Sequence, residues 1–462
     1  MDKNILLQQR ISRMYLRFLI PTVIGMVTQS VYCLADVYFI SAGTGANGLA
    51  ALNIAMPIFT IMSAIGLWVG VGCATTMSVS EGAGCIEDKH KVFTMAMILA
   101  AGAGIVLTLG ECLFLEPFSR MLGATDALLP DVLTYLRPII LLSTFNIIGW
   151  VLQIVIRADN APGLVMGATV VSSLLNIVLD YLFVIVWRWG LFGASFATAL
   201  SSCVSCALLC SYYFHRERNI RFVKNCWNGK LFRRMIGNGA ASAMLETSAG
   251  IVIILFNYAI LNIAAPIYLA AYSVITNIAY VGKGILNGFA QAVQPIISTN
   301  HGAKLFHRVH HSLGIACLYT VSVALIGYGI ILLFPGQIAG IFAKGDQTLL
   351  KLAEHGILLY FSSFVLTAAN TIFMYYLQSI EKGRLSTLFT IIRGFLLILV
   401  GLMILPSWLG IDGVWLCVTF AEGITLLISL PFIYKQIRQD KKRLLEEEDH
   451  EKSICVPDLG IE

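Results

Sequence analysis

LVMGATVVSSLLNIVLDYLFVIVW (residues 164–187), RWG (188–190) and LFGASFATALSSCVSCALLCSYYF (191–214) follow one another without interruption. Each long run exceeds the roughly 20 apolar residues that carry an α-helix across a bilayer core. Asp180 is the only acidic or basic residue in the two runs. The pair therefore reads as two consecutive membrane spans joined by a short turn from Trp187 to Gly193.

The rest of the chain repeats the pattern. Of its 462 residues, 58% are hydrophobic and 12% charged, with a mean hydropathy of +0.81. A soluble domain carries about 25% charged residues. The apolar runs predict spans at 15–40, 51–80, 92–115, 131–157, 164–187, 191–214, 236–262, 267–297, 311–334, 352–380, 387–408 and 411–436. Lys and Arg gather on one side of this layout. Twenty-four of the 31, among them Arg10, Arg13, Lys89, Arg157, Arg233, Lys304 and Lys441, fall on the side of the two termini. Only Arg120, Arg137, Arg188, Lys344 and Lys351 fall on the other, while Lys283 and Arg393 lie inside spans. Such asymmetry orients both termini to the cytoplasm. The net charge of +5 is thus topological, and no nucleic-acid partner is expected. The hydrophobic stretch after Arg10, Arg13 and Arg17 is too long for the core of a signal peptide, and reads as a retained first span. Cys203, Cys206 and Cys210 share helical spacing in an apolar run and read as packing residues. His301, His307, His310 and His311 read as surface residues near a loop.

A shift of 220 residues superposes the halves. Leu49-Ala50-Ala51 falls on Leu269-Ala270-Ala271, Ser78-x-x-x-Gly82-Ala83 on Ser298-x-x-x-Gly302-Ala303, and Gly190-x-x-Gly193 on Gly410-x-x-Gly413. Six spans per half is even, so the halves share orientation and their two-fold axis runs along the membrane normal. Repeats of this kind occur in transporters that rock one half against the other around a central site. The expected fold is an all-α polytopic membrane protein, twelve transmembrane helices in two six-helix lobes. Its expected parts are an N-terminus (1–14), an N-lobe (15–214), a linker (215–235), a C-lobe (236–436) and a tail (437–462).

Ionisable groups inside a membrane are costly, by at least about 2.5–3.5 kcal/mol at a helix centre, and are functional by default. Here they are Asp36, Asp180, Glu246, Lys283, Arg393 and Glu422, with Glu111 nearer a span end. Asn176 and Asp180 are four apart and share a helix face. With Asp36 and Thr198 they make an all-oxygen set, the kind hard cations favour. Two close carboxylates can also share a proton. The alternative is a buried hydrogen-bonded helix contact. Under the repeat, Asp36 maps to Phe256, Asn176 to Leu396 and Asp180 to Val400, so the N-terminal half alone owns the set. The C-terminal charges Glu246, Lys283, Arg393 and Glu422 either pair with one another or form a second site, for which Glu246 is the best candidate. Pro21 supplies a bend point in span 1.

Taken in order, several patterns resemble the multidrug and toxic compound extrusion (MATE) family of antiporters. They are Pro21 with Gln29 and Asp36; Arg157-Ala158-Asp159-Asn160 with Pro162; Asn176-Ile177-Val178-Leu179-Asp180-Tyr181; and Trp189-Gly190-Leu191-Phe192-Gly193-Ala194-Ser195-x-Ala197-Thr198. The resemblance covers roughly residues 10 to 436. It implies efflux of amphipathic cationic compounds through a cleft between V-shaped lobes. It further implies that Asp36, Asn176, Asp180 and Thr198 hold the coupling ion, Na⁺ or H⁺, and that Gln29, Tyr135, Gln153 and Glu246 line the substrate cavity, with Pro21 as hinge. No organic cofactor is expected. The expected setting is the cell (inner) membrane, with the chain a monomer whose partners are small amphipathic cations and lipids. A lipid-linked oligosaccharide or other lipid flippase is the alternative, kept open by Lys283 and Arg393. An integral-membrane enzyme has no paired His, Walker-type loop or metal motif to support it.

Overall fold

The computed structural model describes residues 5–214, 218–343 and 347–454, and their side chains except at 5, 46, 111, 112, 342, 343 and 444–454. Lys3, Arg216 and Lys344, the chain beyond 454, and the side chains of Glu111, Glu446, Glu447, Glu448 and Lys452 lie outside that description. The described residues are almost wholly helical and contain no strand.

Among the described residues eleven helices are long and apolar enough to cross a membrane, and a bent pair taken as one span makes twelve. They are Ile11–Gly45, Asn47–Gly82, Ile86–Gly110, the bent pair Leu129–Leu141 and Ser143–Ala158, Pro162–Val186, Gly190–Phe214, Gly229–Ile263, Ile267–Gly302, Phe306–Leu333, Gln347–Ser379, Gly383–Leu409 and Ile411–Arg443. They are called spans 1 to 12 below. Each expected apolar run sits inside one of them or overshoots it by a few residues. The helices mostly run longer than the runs, because polar residues continue the helix past the apolar core. Span 4, expected as one run over 131–157, is two helical segments bent by 55°. Pro138 lies just before the break at Leu142 and cannot donate to the carbonyl one turn back, which loosens that turn. Pro21, by contrast, lies within continuous helix; the only non-helical residue in the merged helix of spans 1 and 2 is Gly45, between them.

The repeat has a structural cause at its turns. Gly190 and Gly410 both have φ near +60° (58° and 59°), where a side chain is strained and glycine is not. They open the turns into spans 6 and 12. Packing follows the two halves, with one exchange between them. One core joins spans 2 to 6 and includes Leu231 and Met235 from the start of span 7. A second lies within the C-terminal half, around Phe256, Ile275, Phe361 and Trp415. A third packs Met14, Tyr15, Phe18 and Leu19 of span 1 against spans 8, 9 and 10. The first span of each half thus plants its start in the other half.

Several charges read as loop residues turn inward. Lys89 is 1% exposed, between Glu81 (2.8 Å) and Asp159 (2.7 Å). Asp159 also accepts from the Tyr212 hydroxyl (2.6 Å) and the Asn219 N–H (3.1 Å). Arg157 is buried and donates to Gln291 of span 8. His310 is no surface residue either: it is half-buried, with Nε2 3.2 Å from the buried Asp440. Buried charges need partners, and these found theirs across long sequence separations.

Candidate functional site

Asp180 closes the regular part of span 5, and Tyr181–Val186 continues it as a π-helical turn. Such wide turns are frequent at functional sites, and the corresponding span 11 has one too, at Ile392–Leu396. Asn176 sits one turn earlier on the same face, and its Nδ2 donates to the Thr198 hydroxyl of span 6 (3.3 Å). Asp36, on span 1, lies side by side with Asp180. Asp36, Asn176 and Asp180 are all buried, Asp180 completely.

What distinguishes this cluster is what its oxygens lack. Asp36 Oδ1, Asn176 Oδ1 and both carboxylate oxygens of Asp180 are buried with no hydrogen-bond donor among the described residues. Buried polar atoms are nearly always satisfied, and a carboxylate left bare in low dielectric is expensive. Orphaned acceptors on two neighbouring carboxyls call for a positive partner, a proton or a hard cation. Ser173 Oγ is orphaned as well. Sequence reasoning missed it, although Ser173, Asn176 and Asp180 follow the i, i+3, i+7 spacing of one helix face. Tyr135, on the first segment of span 4, is buried close enough to both carboxyls to feel their charge, and its ring packs at 6.3 Å from that of Phe59.

The cavity residues expected with Tyr135 do not form one group. Gln29 and Gln153 line a narrow cleft together with Pro21, Arg157 and Met166. Glu246, on span 7, accepts from Ser63 Oγ of span 2 at 2.9 Å. Of the C-terminal charges, Arg393 and Glu422 pair at 2.8 Å. Asn370 donates to the second Glu422 oxygen (2.7 Å), and Arg393 also donates to Thr371 (3.1 Å). That acid is satisfied, so this network is structural. At the repeat position of Asp36, Phe256 is buried and stacks on Tyr272 (5.0 Å).

The halves meet along spans 1, 2, 7 and 8, from mid-helix to the face that holds Ile11 and Gly82. There Gln294 donates to Thr75 (2.8 Å), Asn238 to Thr76 (3.1 Å) and the Trp68 indole to the Ile236 carbonyl (2.8 Å). Spans 2 and 8 cross backbone to backbone. A Cβ on Gly82 would stand 1.9 Å from the Thr299 carbonyl oxygen, and one on Gly302 2.0 Å from that of Val79. Val79 and Thr299 are themselves 220 apart, so the repeated Ser-x-x-x-Gly-Ala motif marks a two-fold-symmetric contact between halves. The Ser63–Glu246 and Tyr280–Cys33 contacts lie mid-helix. Beyond them, toward the opposite face, no hydrogen bond among the described residues joins the halves. The hydrogen bonds and the close backbone crossing that join the halves thus gather from mid-helix to the face of the termini. Gly82→Val or Gly302→Val is expected to part the crossing at about 1–3 kcal/mol. Labelling of a cysteine placed at Ala74 in a cysteine-free background should then rise from the face of the termini; unchanged labelling would show that the crossing is not the seal.

Comparison with known proteins agrees with this architecture. The multidrug export protein MepA of Staphylococcus aureus (strain NCTC 8325 / PS 47) is 24% identical over 450 residues, covering 93% of this chain and 96% of MepA. A crystal structure of MATE in complex with MaL6 superposes with a TM-score of 0.91 at 22% identity, over 96% of this chain and 100% of that one. An outward-facing multidrug resistance MATE family transporter of the MOP superfamily gives 0.90, also at 22% identity, over 96% and 99%. At that identity the superpositions speak for the fold. The sequence itself matches the MatE family over residues 21–182 and 235–403, most of both halves; the chain is a multi-pass membrane protein and belongs to the MatE family of transporters.

Proposed function

We propose that the chain exports amphipathic cationic compounds from the cell by cation-coupled antiport, with Asp36, Asn176, Asp180 and Thr198 holding the coupling ion. The observation that carries the reading is the set of orphaned, buried oxygens on spans 1 and 5. The family and the multidrug export relative supply the transport context. The basic face, where Lys and Arg concentrate, is the cytoplasmic one, and the membrane is the cell membrane. The chain works as a monomer, since each half already has the other as its partner.

With the halves joined on the cytoplasmic side in this arrangement, the cleft between them faces outward. Entry of Na⁺ or H⁺ from outside neutralises the Asp36–Asp180 pair and loosens its hold on a cationic substrate. The substrate leaves, the neutral site can cross with the rocking halves, and release of the ion inside restores the charge that attracts the next cation. One ion entering for one monovalent cation leaving moves no net charge, so the ion's concentration gradient supplies the drive. A tenfold gradient is worth about 1.4 kcal/mol and sustains a roughly tenfold substrate gradient, and a second ion per cycle would add about 2.3 kcal/mol at 100 mV. A diphosphate flippase would need several free cationic anchors. Arg393 is committed to Glu422, which leaves Lys283 alone of the two and counts against that alternative.

The test is ethidium flux in everted vesicles with the Na⁺ and pH gradients collapsed separately. Collapse of one gradient is expected to abolish flux and thereby name the ion. Flux that survives collapse of both would contradict coupled antiport.

A further inference from the structure

The acids of the N-terminal half account for a coupling cation. A buried cation at the seam between the halves has no part in that. Arg157 stands one residue from the end of span 4. An arginine in such a place ordinarily reaches outward to water and headgroups. This one turns inward and is 6% exposed. A guanidinium keeps its charge inside a protein, so it cannot escape the cost of burial by losing a proton. Its only hydrogen bond among the described residues runs to Gln291 Oε1 of span 8, a neutral acceptor from the other half. The Tyr375 hydroxyl, also neutral, lies close by. No carboxylate among the described residues is within ion-pair distance of it. Asp159, the nearest acid along the chain, is taken up by Lys89 and Tyr212.

Arg157 borders a small cavity together with Ser78 of span 2 and Gln291 and Gln294 of span 8, with Ala74 and Pro295 among its apolar walls. The cavity has room for about one water-sized particle. Ser78 is 1% exposed, and its hydroxyl is buried with no partner among the described residues. A cation without a counter-charge and a hydroxyl without a partner thus meet at one cavity. The scaffold does not demand this. Under the shift of 220, Arg157, Gln291 and Gln294 fall on Leu377, Val71 and Ala74, so the polar lining belongs to one side of the two-fold alone. Leu377 is fully buried and needs no charge there.

We propose that this cavity is a binding site for a small monovalent inorganic anion such as chloride, with Arg157 as its counter-charge and the Ser78 hydroxyl as a donor. A water molecule satisfies the hydroxyl but leaves the guanidinium uncompensated; an anion answers both. Sulfate and lipid phosphates are larger than the cavity holds. Arg157 and Ser78 belong to the N-terminal half, and Gln291 and Gln294 to the C-terminal half. The bound anion therefore sits on the seam and favours the arrangement in which the halves meet there.

The test uses the purified full-length chain in detergent, with sodium chloride exchanged for sodium gluconate at constant ionic strength. Chloride is expected to raise the Tm by about 2 °C at saturation. Radiolabelled chloride should bind at about one ion per chain. Arg157→Met should abolish both effects and, in gluconate, melt no lower than the unaltered chain, because it removes an uncompensated buried charge. Ser78→Ala should weaken chloride binding about fivefold, which keeps the proposal open to test if Arg157→Met does not fold. Sulfate should behave as gluconate does. Absence of saturable binding, or binding that neither substitution weakens, would overturn the proposal. So would a Tm that falls equally in both salts for Arg157→Met with no chloride effect on the unaltered chain, since Arg157 would then serve only as a donor to Gln291. Stabilisation through Arg157 by sulfate or by phosphatidylglycerol micelles, but not by chloride, would also overturn it and give the site to an oxyanion. None of these measurements involves transport, so the anion site and the export reading fail separately.

Discussion

Asp180→Asn is expected to abolish accumulation against a gradient while leaving the protein folded. The substitution keeps the size and polarity of the side chain and removes the charge. Asp180 is completely buried, and neither of its carboxylate oxygens has a donor among the described residues. The one side-chain contact it touches is that with Asp36, which an amide can also make, so the variant should melt no lower than the unaltered chain. What disappears is the charge an ion neutralises. A site that holds no ion cannot exchange it for substrate, and the roughly tenfold gradient that a tenfold ion gradient sustains by one-for-one exchange should collapse to the passive distribution. Downhill movement of ethidium can persist. Accumulation in a pump-deficient strain measures the first quantity and equilibration in vesicles the second. Asp36→Asn should behave alike, because the two carboxyls lie side by side.

Arg393→Met should do the opposite, destabilising the protein without uncoupling it. Arg393 is 2.8 Å from Glu422 in the interior of the C-terminal half. Removing one partner of a buried pair leaves the other charge uncompensated, at about 3–5 kcal/mol. Replacing both with neutral side chains is often close to neutral. The melting temperature in detergent should therefore fall sharply for Arg393→Met and recover in Arg393→Met combined with Glu422→Gln. A single variant as stable as the unaltered chain would show that Glu422 carries no charge there. Protein that survives should keep its ion coupling, since none of these groups belongs to the cluster on spans 1, 5 and 6.

The two predictions express one asymmetry. The N-terminal half leaves its acids bare, and the C-terminal half carries its own cation for the acid it buries. A tethered guanidinium stays where it is, whereas a proton or Na⁺ can be exchanged. The halves thus share a scaffold and differ in chemistry: one leaves buried acids without partners, and the other packs around its own polar network.

The spans were legible in the sequence because length and apolarity are properties of a continuous stretch, and the bilayer demands both. The repeat was legible for a similar reason. Gly190 and Gly410 answer the same backbone demand, and Gly82 and Gly302 the same close crossing. The cluster of Asp36, Asn176, Asp180 and Thr198 could be read because acids are rare inside spans. Pairing was harder to read. Counting Lys89 and Arg157 as loop cations places them on the right face but misses that they fold inward, toward Asp159 and Gln291. Those partners are far along the chain, and hydropathy carries no information about them. The bend of span 4 and the π-helical turn after Asp180 were hidden too, since both depend on how neighbouring helices take up backbone groups. Ser173 was missed because a serine within an apolar run is ordinary until its hydroxyl is seen to lack a partner.

The central claim is that substrate and coupling ion compete for the carboxylates of spans 1 and 5. It is tested most directly by ion release on substrate binding. Purified protein in weakly buffered detergent, preloaded with the ion named by the vesicle experiment, is titrated with ethidium while free H⁺ or Na⁺ is recorded. The account predicts release that saturates with ethidium binding in the unaltered chain and is absent in Asp180→Asn. Equal release from both proteins would contradict it.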